Sequence, residues 1–413
     1  MKPTLSIVVP THNRRNSLVR LLDAIERQEQ PGSEVIVVSD GCSDDTAQTI
    51  RSRHWRIPVR LIEQFAAGPA AARNRGAAEA DAPLILFLDD DMEPAAGTVQ
   101  AHCDFHRHHR DAIGIGDLKP EVTEAGLFGV ILRGWWHGMF EGMRRPGHRY
   151  TYRDLMSGHV SMGKALFDRL GRFDPSFRCH EDWELGYRAI AADVPLRLVP
   201  GAIAVHHETA TLEKALGRKY DEGIADVQLL DRYPALASEL PLSRQRVRKQ
   251  RSRRGGRIPS FKARLAMRLY ERFKLRFRWR QLLEDLLDDS YSQGVAATGR
   301  VLSGVENRGG RSGTSRLPPG LILDLACGLE AARQQLDATR PMSVRLTVSG
   351  SLIGDVPATP GSERLRGAHL SQLIARQFAL QYLDAAARHG SLPPMLLRTP
   401  SDRRDTLEHP ATA

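Results

Sequence analysis

The chain has 413 residues, 41% of them hydrophobic, which is enough for two or three globular domains with buried cores. No apolar run reaches the roughly 18 residues that a membrane-spanning helix needs, and the start lacks the features of a signal peptide. The four cysteines are dispersed without CxxC spacing, which argues against both a disulfide framework and a zinc site. These features predict a cytoplasmic protein.

The net charge of +10 is concentrated in one segment. Residues 244–280 contain 16 Lys or Arg and a single acid, Glu271, whereas the rest of the chain has 43 basic and 48 acidic residues. The positive charge therefore belongs to this segment, and the remainder is mildly acidic.

Through residue 90 the hydrophobic pattern alternates between strands and helices. Strands are predicted at 5–9, 35–39, 59–62 and 84–88, with helices near 18–25 and 70–80. This alternation predicts a mostly parallel sheet covered on both faces, with ligands bound beyond the carboxyl ends of its strands. Polar residues follow three of those ends, at 10–13, 40–42 and 89–91.

The later part of the chain changes character. Short strands are predicted at 112–116, 158–162, 202–205 and 344–348, and helices at 181–192, 211–233, 321–336 and 363–389. The predicted domains are a catalytic domain at 1–235 (halves 1–110 and 111–235), a basic helical segment at 236–302, a Gly/Pro/Ser-rich linker at 303–320, a small mostly helical region at 321–390 and a disordered tail at 391–413.

Three consecutive aspartates, Asp89, Asp90 and Asp91, follow the apolar strand at 84–88. Their mutual repulsion requires a positive charge nearby. Mg²⁺ and Mn²⁺ bind through one or two carboxylates and complete their shell with phosphate oxygens and water. The triplet therefore predicts such a metal site, with a solvated acidic turn as the alternative.

Five segments in order resemble a known family. They are SIVVPTHNR at 6–14, VIVVSDGCSDDT at 35–46, ARNRG at 72–76, ILFLDDDMEP at 85–94 and HEDWELGYRA at 180–189. Together they are similar to the inverting glycosyltransferase family 2. The resemblance implies an α/β, GT-A-like (Rossmann-like) fold with a mixed, mostly parallel sheet, followed here by a predominantly helical C-terminal extension. It also implies sugar transfer from a nucleotide-diphosphate-sugar donor to an acceptor hydroxyl, in bacterial-type polysaccharide, glycolipid or other glycoconjugate synthesis.

The resemblance assigns nucleotide binding to residues at the strand ends. The set is Pro10, Thr11, Asn13, Asp40, Arg73, Asp89 and Asp90. Arg73 would meet the base or diphosphate with its planar fork of donors, and Asn74 would fix the loop. A surface ion pair at Arg73 and helix capping by Asp40 remain alternatives.

The family's DxD motif matches Asp89 and Asp91, which are the implied ligands of Mn²⁺ or Mg²⁺. His206 is implied as a further ligand, with His207 as the fallback. A structural histidine is an equal alternative. The metal would stabilise the charge that develops on the departing diphosphate.

The Glu181-Asp182 pair matches the family's ED pair at the start of a predicted helix. Asp182 is the implied base for the acceptor hydroxyl, because the positive end of the helix favours its ionised form. Trp183, Tyr187 and Ile190 share one helix face, which we expect to pack inward. A helix-capping role for Asp182 is the alternative.

The acceptor side is less defined. Gly158 lies where the family has a small acceptor-side motif, and Trp183, Trp135 and Trp136 are candidate platforms for a sugar or lipid. A plain core or a loop lid is an equal alternative for the tryptophans.

Two further patterns resemble sites but are not read as sites. The group at 102–109, with four histidines and one cysteine, has no second ligand pair and is interpreted as a solvated helix face. The segment ILDLACG at 322–328 resembles a motif of methyltransferases, but Glu330 stands where a glycine is expected.

The apolar residues Phe261, Leu265, Leu269, Phe273 and Phe277 repeat every four positions among arginines, which predicts one basic amphipathic helix over 260–283. Such a helix binds anionic membrane surfaces, which would make the protein peripheral on the cytoplasmic face and the acceptor lipid-linked or a saccharide. Docking of the stripe on the catalytic domain is the alternative. A nucleic-acid- or membrane-binding role on a catalytically silent scaffold is the other functional class, and nucleic acid explains none of the five motifs.

Overall fold

The computed structural model describes residues 3–28, 32–242, 260–299 and 320–390. The arginine-rich residues 244–257 of the predicted basic segment, most of the predicted linker and the predicted tail lie outside these ranges. The chain divides into two compact units, the first from Met1–Arg144, Tyr150–Arg308 and Pro360–Glu363, and the second from Arg145–Arg149, Gly309–Thr359 and Arg364–Ala413, as far as they are described.

The first unit is built on an eight-stranded mixed sheet. Its strands are β1 Leu5–Thr11, β2 Ser33–Asp40, β3 Val59–Gln64, β4 Leu84–Leu88, β5 Met92–Pro94, β6 Ile113–Val122, β7 His159–Gly163 and β8 Leu196–Glu208. The spatial order is β3-β2-β1-β4-β7-β6-β8-β5. The four strands β3, β2, β1 and β4 are parallel, β7 is antiparallel to both of its neighbours, and β6 and β8 are parallel. The four predicted N-terminal strands are confirmed: β1, β2 and β4 are apolar and buried on both faces, whereas β3 is a half-buried strand at the edge of the sheet.

Helices cover the sheet. They are α1 Arg15–Glu26, α2 Thr46–Ser52, α3 Pro69–Glu79, α4 Thr98–His108, α5 Gly126–Arg144, α6 Lys164–Arg169, α7 Glu181–Ala191 and α8 Leu212–Arg232, with short 3-10 turns at Tyr152–Asp154 and Pro234–Ser238. The predicted period of α1 is confirmed, because Leu18, Leu21, Leu22 and Ile25 are all buried.

The prediction of one helix over 260–283 is wrong. The structure has two helices, α9 Ser260–Arg272 and α10 Arg276–Ala297, separated where Lys274 adopts a left-handed conformation. Met267 and Trp279 would point about 120° apart on one continuous helix. The break lets both side chains enter the same small core.

Helix α10 packs closely along α8. A Cβ on Gly223 would lie 2.2 Å from the Tyr291 carbonyl oxygen, and one on Gly294 would lie 1.9 Å from that of Tyr220. These two glycines therefore permit the close approach of the helices. No helix in the described ranges is both long and apolar enough to cross a bilayer.

The second unit has its own three-stranded sheet and core. Its elements are β9 Leu321–Asp324, a 3-10 turn Leu325–Cys327, α11 Leu329–Thr339, β10 Val344–Val348, β11 Ser351–Val356, α12 Gly367–Leu373, a π-helical turn Ile374–Phe378 and α13 Ala379–Arg388. β10 lies between parallel β9 and antiparallel β11. The helix predicted from Leu321 is wrong for its first four residues, since these form β9. Asp324 there accepts hydrogen bonds from the backbone of Ala326, Ser349 and Gly350.

Candidate active site

Three acids and an arginine meet where β1 and β4 end side by side. Thr11 Oγ1 donates to Asp90 Oδ2 over 2.8 Å. Arg14 Nη1 donates to Asp90 Oδ1 over 3.0 Å and to Asp91 Oδ2 over 2.7 Å. Because β1 pairs in parallel with β4, residues 76 or more positions apart come into contact. Arg14 supplies part of the positive charge that the aspartate triplet requires.

Neighbouring charges give Asp90 and Asp91 different pKa values. Burial raises the pKa of Asp90 to about 6, with the charge of Asp91 adding to the effect and that of Arg14 opposing it. Burial acts in the same direction on Asp91, but the polar contact with His206 and the charges of His206 and Arg14 lower the pKa of Asp91 to about 2. Both carboxylates are therefore mostly ionised at neutral pH, and Asp90 is the one that takes up a proton on mild acidification.

Arg73 of α3 connects the triplet to α7. Its Nη2 lies 2.6 Å from Asp89 Oδ1 and its Nη1 lies 2.8 Å from Glu181 Oε1. Arg73 is buried, so the surface ion pair that the sequence left open is excluded. Burial, with the adjacent Asp182, raises the pKa of Glu181, and the charge of Arg73 opposes this shift. Asn74 holds the segment at Phe173, because it both donates to the Phe173 carbonyl and accepts from the Phe173 N–H.

Asp182 lies in the first turn of α7, beside this buried pair. Its Oδ1 accepts from the Trp183 N–H over 2.9 Å, and its Oδ2 accepts from the Ser157 N–H over 3.3 Å. An ionised carboxylate has about four acceptor positions, so both oxygens retain one. Gly158 adjoins this contact, since its carbonyl accepts from the Asp89 N–H over 3.0 Å. Residues 157 and 158 therefore hold Asp182 and Asp89 from a single turn.

His206 at the end of β8 faces the same acids. Its Nε2 lies 3.7 Å from Asp91 Oδ1, and its ring packs against Trp136 with centroids 4.7 Å apart. Burial lowers the pKa of His206, but the contact with Asp91 outweighs this and raises it. His207 points elsewhere and pairs with Glu93 and Glu121.

Other residues that the sequence predicted for the site form hydrogen bonds within the surrounding loops. Asp40 accepts from Gln64 Nε2 and from the N–H groups of Ala67 and Gly68, so it anchors the turn before α3. Asn13, which has a positive φ of 54°, accepts through Oδ1 from the Ser43 and Asp44 N–H groups. Pro10 lies within β1.

The three candidate tryptophans lie in different environments. Trp136 lies beside His206 and donates to Glu208 Oε2 over 3.1 Å, so it lies close to the aspartate triplet. Trp183 stacks on His180 with centroids 3.7 Å apart. Trp135 is half exposed beside Lys219. The face of α7 predicted to pack inward, with Trp183, Tyr187 and Ile190, is partly buried against a hydrophobic core cluster. The most buried residues of α7 are Glu181, Glu184, Leu185, Gly186 and Ala189.

The interpretation of 102–109 as a solvated face is wrong for two of its histidines. His102 and His106 are buried beneath the sheet, where both rings lie within 2.8 Å of Ser161 Oγ. His102 Nε2 also lies 3.0 Å from His159 Nε2. Burial lowers the pKa of His102, His106 and His159, the last two to about 4. Because these residues are polar, nothing in the sequence indicated that they form a buried hydrogen-bonded cluster.

Arg14 was not singled out from the sequence as a site residue. The available signal was its position at the end of the SIVVPTHNR segment, where β1 delivers its side chain to the same sheet edge as the aspartates. Across the described ranges, no three His, Cys, Asp or Glu side chains are arranged to hold a metal by themselves.

Comparison with known proteins finds a family model that covers the strand ends described above. Residues 6–170 match the family model described as Glycosyl transferase family 2. These residues form a glycosyltransferase family 2 domain. The family 2 domain contains every sheet-edge acid described above, whereas α7 and His206 follow it in the chain.

Curated relatives extend the similarity beyond the family 2 domain. The chain is 30% identical over 272 residues to validoxylamine A glucosyltransferase of Streptomyces hygroscopicus subsp. jinggangensis, covering 58% of this chain and 63% of that protein. It is 27% identical over 247 residues to pre-mycofactocin glycosyltransferase of Mycobacterium tuberculosis, covering 58% of this chain and 50% of that protein. The chain thus spans less than two thirds of the length of either relative.

A solved structure shares the fold. The mannosyltransferase of Pyrobaculum calidifontis, in complex with GDP-Man and Mn²⁺, has a TM-score of 0.50 and 15% identity, covering 73% of this chain and 89% of that one. This likeness confirms the GT-A-like α/β fold that the sequence predicted around the family 2 domain.

Proposed function

We propose that this protein transfers a sugar from a nucleotide-diphosphate-sugar to an acceptor hydroxyl with inversion at the anomeric carbon. The observation that carries the proposal is the pair of contacts of Arg73, to Asp89 at the end of β4 and to Glu181 at the start of α7. They bring a donor-side acid and the Glu181-Asp182 pair together at the carboxyl edge of the sheet, where such sheets bind ligands. The names of the two curated relatives support the same reaction class.

The donor would bind across the ends of β1, β2 and β4. Arg14 has a partly exposed guanidinium at this edge, which suits a diphosphate because its planar fork matches phosphate oxygens. Thr11 and Asp90 would order the same edge from below through their hydrogen bond. Asp40 would contribute chiefly by fixing the turn before α3, since three protein hydrogen bonds already occupy its oxygens.

The residues present fit a divalent cation that takes most of its ligands from the donor. Asp91 is ionised, His206 lies beside it, and the buried Nδ1 of His206 has no hydrogen-bond partner in the described part of the chain. We assign Asp91 and His206 as the holding residues, with Asp89 adjacent, and Mn²⁺ or Mg²⁺ as the ion. When bound, the ion supplies positive charge to the departing diphosphate. The structural neighbour with GDP-Man and Mn²⁺ is consistent with this assignment.

Asp182 would act as the base. It accepts the proton of the acceptor hydroxyl while that oxygen forms a bond to the anomeric carbon. The bond from this carbon to the diphosphate oxygen breaks, and its electron pair leaves with the nucleotide. One displacement inverts the configuration. Glu181 would position Asp182 by anchoring the start of α7 to Arg73.

The acceptor would approach over Gly158 and the tryptophans near Asp182 and His206. We propose a saccharide or lipid-linked acceptor and an action in glycoconjugate synthesis on the cytoplasmic face of a membrane. All four cysteines are free thiols in the structure, which is consistent with a reducing compartment.

A donor screen tests the reaction class. UDP-, GDP- and dTDP-sugars are offered with and without Mn²⁺ or Mg²⁺, and protection from thermal unfolding and slow donor hydrolysis are measured. We expect at least one donor to protect the protein and to be hydrolysed only with metal. A folded protein that responds to none of them at millimolar metal would overturn the proposal.

A further inference from the structure

Helices α9 and α10 carry a row of exposed apolar side chains. We call this row the apolar ridge, and it consists of Leu265, Leu269, Phe273, Leu275 and Phe277, which are 42% to 80% exposed. Isolated exposed hydrophobic residues are ordinary on protein surfaces, but five within 13 positions of one helix pair form a contiguous feature of the chain.

The ridge is not a core face left uncovered by chance. The opposite side of the same helices is already buried, with Ala263, Met267 and Trp279 packed in a small core against Phe128 and Leu132 of α5. The alternative from the sequence, in which the stripe docks on the catalytic domain, is therefore excluded for Leu265, Leu269, Phe273 and Phe277. The break at Lys274 permits one side to be buried while the ridge stays outside.

Positive charge surrounds the ridge. Residues 262–280 contain eight Lys or Arg, all exposed, and a single acid. That acid, Glu271, is engaged by α5, since its Oε1 accepts from the Leu127 N–H over 2.8 Å. The surface that accompanies the ridge is therefore strongly basic, and its partner has to be anionic.

We propose that the apolar ridge docks on the surface of an anionic phospholipid bilayer. Leucine and phenylalanine side chains would enter the boundary between headgroups and acyl chains, and the arginines and lysines would contact the phosphates. Each basic residue near such a surface contributes about 1 kcal/mol, or roughly a fivefold change in affinity.

Two other partners fit the surface less well. A second copy of the chain would bring the same eight positive charges face to face. A nucleic acid would match the charge and stack on the phenylalanines, but it has no counterpart for Leu265, Leu269 and Leu275. The aliphatic part of the ridge favours lipid.

The helix that supports the ridge also reaches the candidate active site. Phe128 and Leu132 of α5 pack under α9 and α10, while Trp136, one turn further along α5, contacts His206. Docking would thus hold the acceptor side of the cleft near the bilayer. This last step rests on the proposed function, whereas membrane binding itself does not.

Flotation of the full-length protein with lipid vesicles tests the inference. Vesicles of phosphatidylcholine alone are compared with vesicles that also contain phosphatidylglycerol, at low and high salt. We expect binding only to the anionic vesicles, weakened at high salt because the surface charges are screened. Equal binding to both compositions, or none to either, would overturn the proposal.

Paired variants locate the surface. The double variant Phe273→Ser/Phe277→Ser should bind at least about tenfold more weakly, because two exposed apolar side chains are lost. The triple variant Arg272→Gln/Lys274→Gln/Arg276→Gln should lose about 100-fold at about 1 kcal/mol per charge. Leu269→Ser/Leu275→Ser provides an independent check on the first variant.

Matched controls lie elsewhere on the surface. Leu352→Ser/Leu380→Ser removes equally exposed leucines of the second unit, and Arg107→Gln/Arg169→Gln removes exposed arginines of α4 and α6. Both should bind vesicles like the wild type. Ridge variants that bind like the wild type, or a wild-type preference for duplex DNA or RNA over the vesicles, would contradict the inference. Because the readout is vesicle binding, it is independent of sugar transfer.

Discussion

Arg73 Nη1 lies 2.8 Å from Glu181 Oε1, and this contact joins two segments 108 residues apart in the chain. The other branch of the same guanidinium lies 2.6 Å from Asp89. One buried cation thus holds the end of β4 and the start of α7 in fixed relation. The site depends on this link, because Glu181 is buried and needs a charged partner to stay ionised there.

Replacing Arg73 should therefore destabilise the fold as well as the site. Arg73→Ala leaves Glu181 buried without its partner, and we expect the free energy of unfolding to fall by about 3–5 kcal/mol. Arg75→Ala is the matched control on the same helix, where the exposed pair with Glu79 contributes at most about 1 kcal/mol. Urea unfolding of both variants measures the difference. Similar losses in the two would show that Arg73 is not a buried link.

Gly158→Ala should disturb Asp89 through a steric contact. A Cβ at this position would lie 2.7 Å from Asp89 Oδ2 and 3.1 Å from Met92 Cε, so the carboxylate has to move. We expect a loss of about 1–3 kcal/mol in unfolding free energy and weaker donor binding by calorimetry.

Gly163→Ala is the control for this change. It lies at the other end of β7, and its added Cβ would come no closer than 3.7 Å to another atom. We expect wild-type donor binding for this variant. An unaffected Gly158→Ala protein would mean that Asp89 does not need its present position.

Asp182→Asn should separate binding from transfer. The substitution keeps the shape of the side chain but removes the proton acceptor, so transfer should slow by about 10²–10⁴-fold while donor affinity stays close to that of the wild type. Asp168→Asn, at an exposed acid of α6 that pairs with Arg172, should leave both properties unchanged. Product formation and donor titration are measured on the same preparations. Normal transfer by Asp182→Asn would assign the base to another residue.

The buried histidines predict how stability depends on pH. His106 and His159 have a pKa of about 4 in the folded protein against a usual value near 6.5, so the unfolded chain binds more protons between these values. Their contribution is fully present above pH 6.5, and each loses about 1.4 kcal/mol per pH unit as the pH falls from there toward 4. The raised pKa of Asp90 acts in the opposite direction over part of the same window.

The histidine contribution is therefore measured as a difference between variants. Urea unfolding is followed from pH 7 to 5 for the wild type, His106→Gln and His137→Gln. We expect a shallower pH dependence in His106→Gln, whereas His137→Gln, at an exposed position of α5, should follow the wild type. The same pH dependence in all three proteins would rule out a buried neutral His106.

The first four strands could be predicted because β1, β2 and β4 are short apolar runs that the sheet buries on both faces, and because β3 has apolar residues between two turn regions. The sequence also predicted which strand ends carry polar groups, and these positions meet in space since parallel strands end at one edge. The strand order β4-β7-β6-β8-β5 could not be predicted from the sequence, because the antiparallel insertion of β7 depends on long-range pairing that leaves no local pattern.

The contacts between side chains were harder to predict than the helices and strands. Arg14 and Arg73 supply positive charge beside the aspartates. Because arginines are common, the position of Arg14 in the sequence does not by itself identify it as a site residue. His102 and His106 were interpreted as exposed because polar residues usually are, yet both are buried in contact with Ser161, and His102 also contacts His159. The break at Lys274 was missed because a left-handed residue at a helix end is usually glycine, and lysine gives no such signal.

Metal-dependent donor binding by an Asp91 variant tests whether Asp91 holds the cation. The affinity for the donor that emerges from the screen is measured by calorimetry with and without Mn²⁺, for the wild type, Asp91→Ala and the exposed-acid control Asp104→Ala. We predict that Mn²⁺ strengthens binding in the wild type and in Asp104→Ala, and that this effect is absent in Asp91→Ala. Equal strengthening by Mn²⁺ in all three proteins would contradict the account.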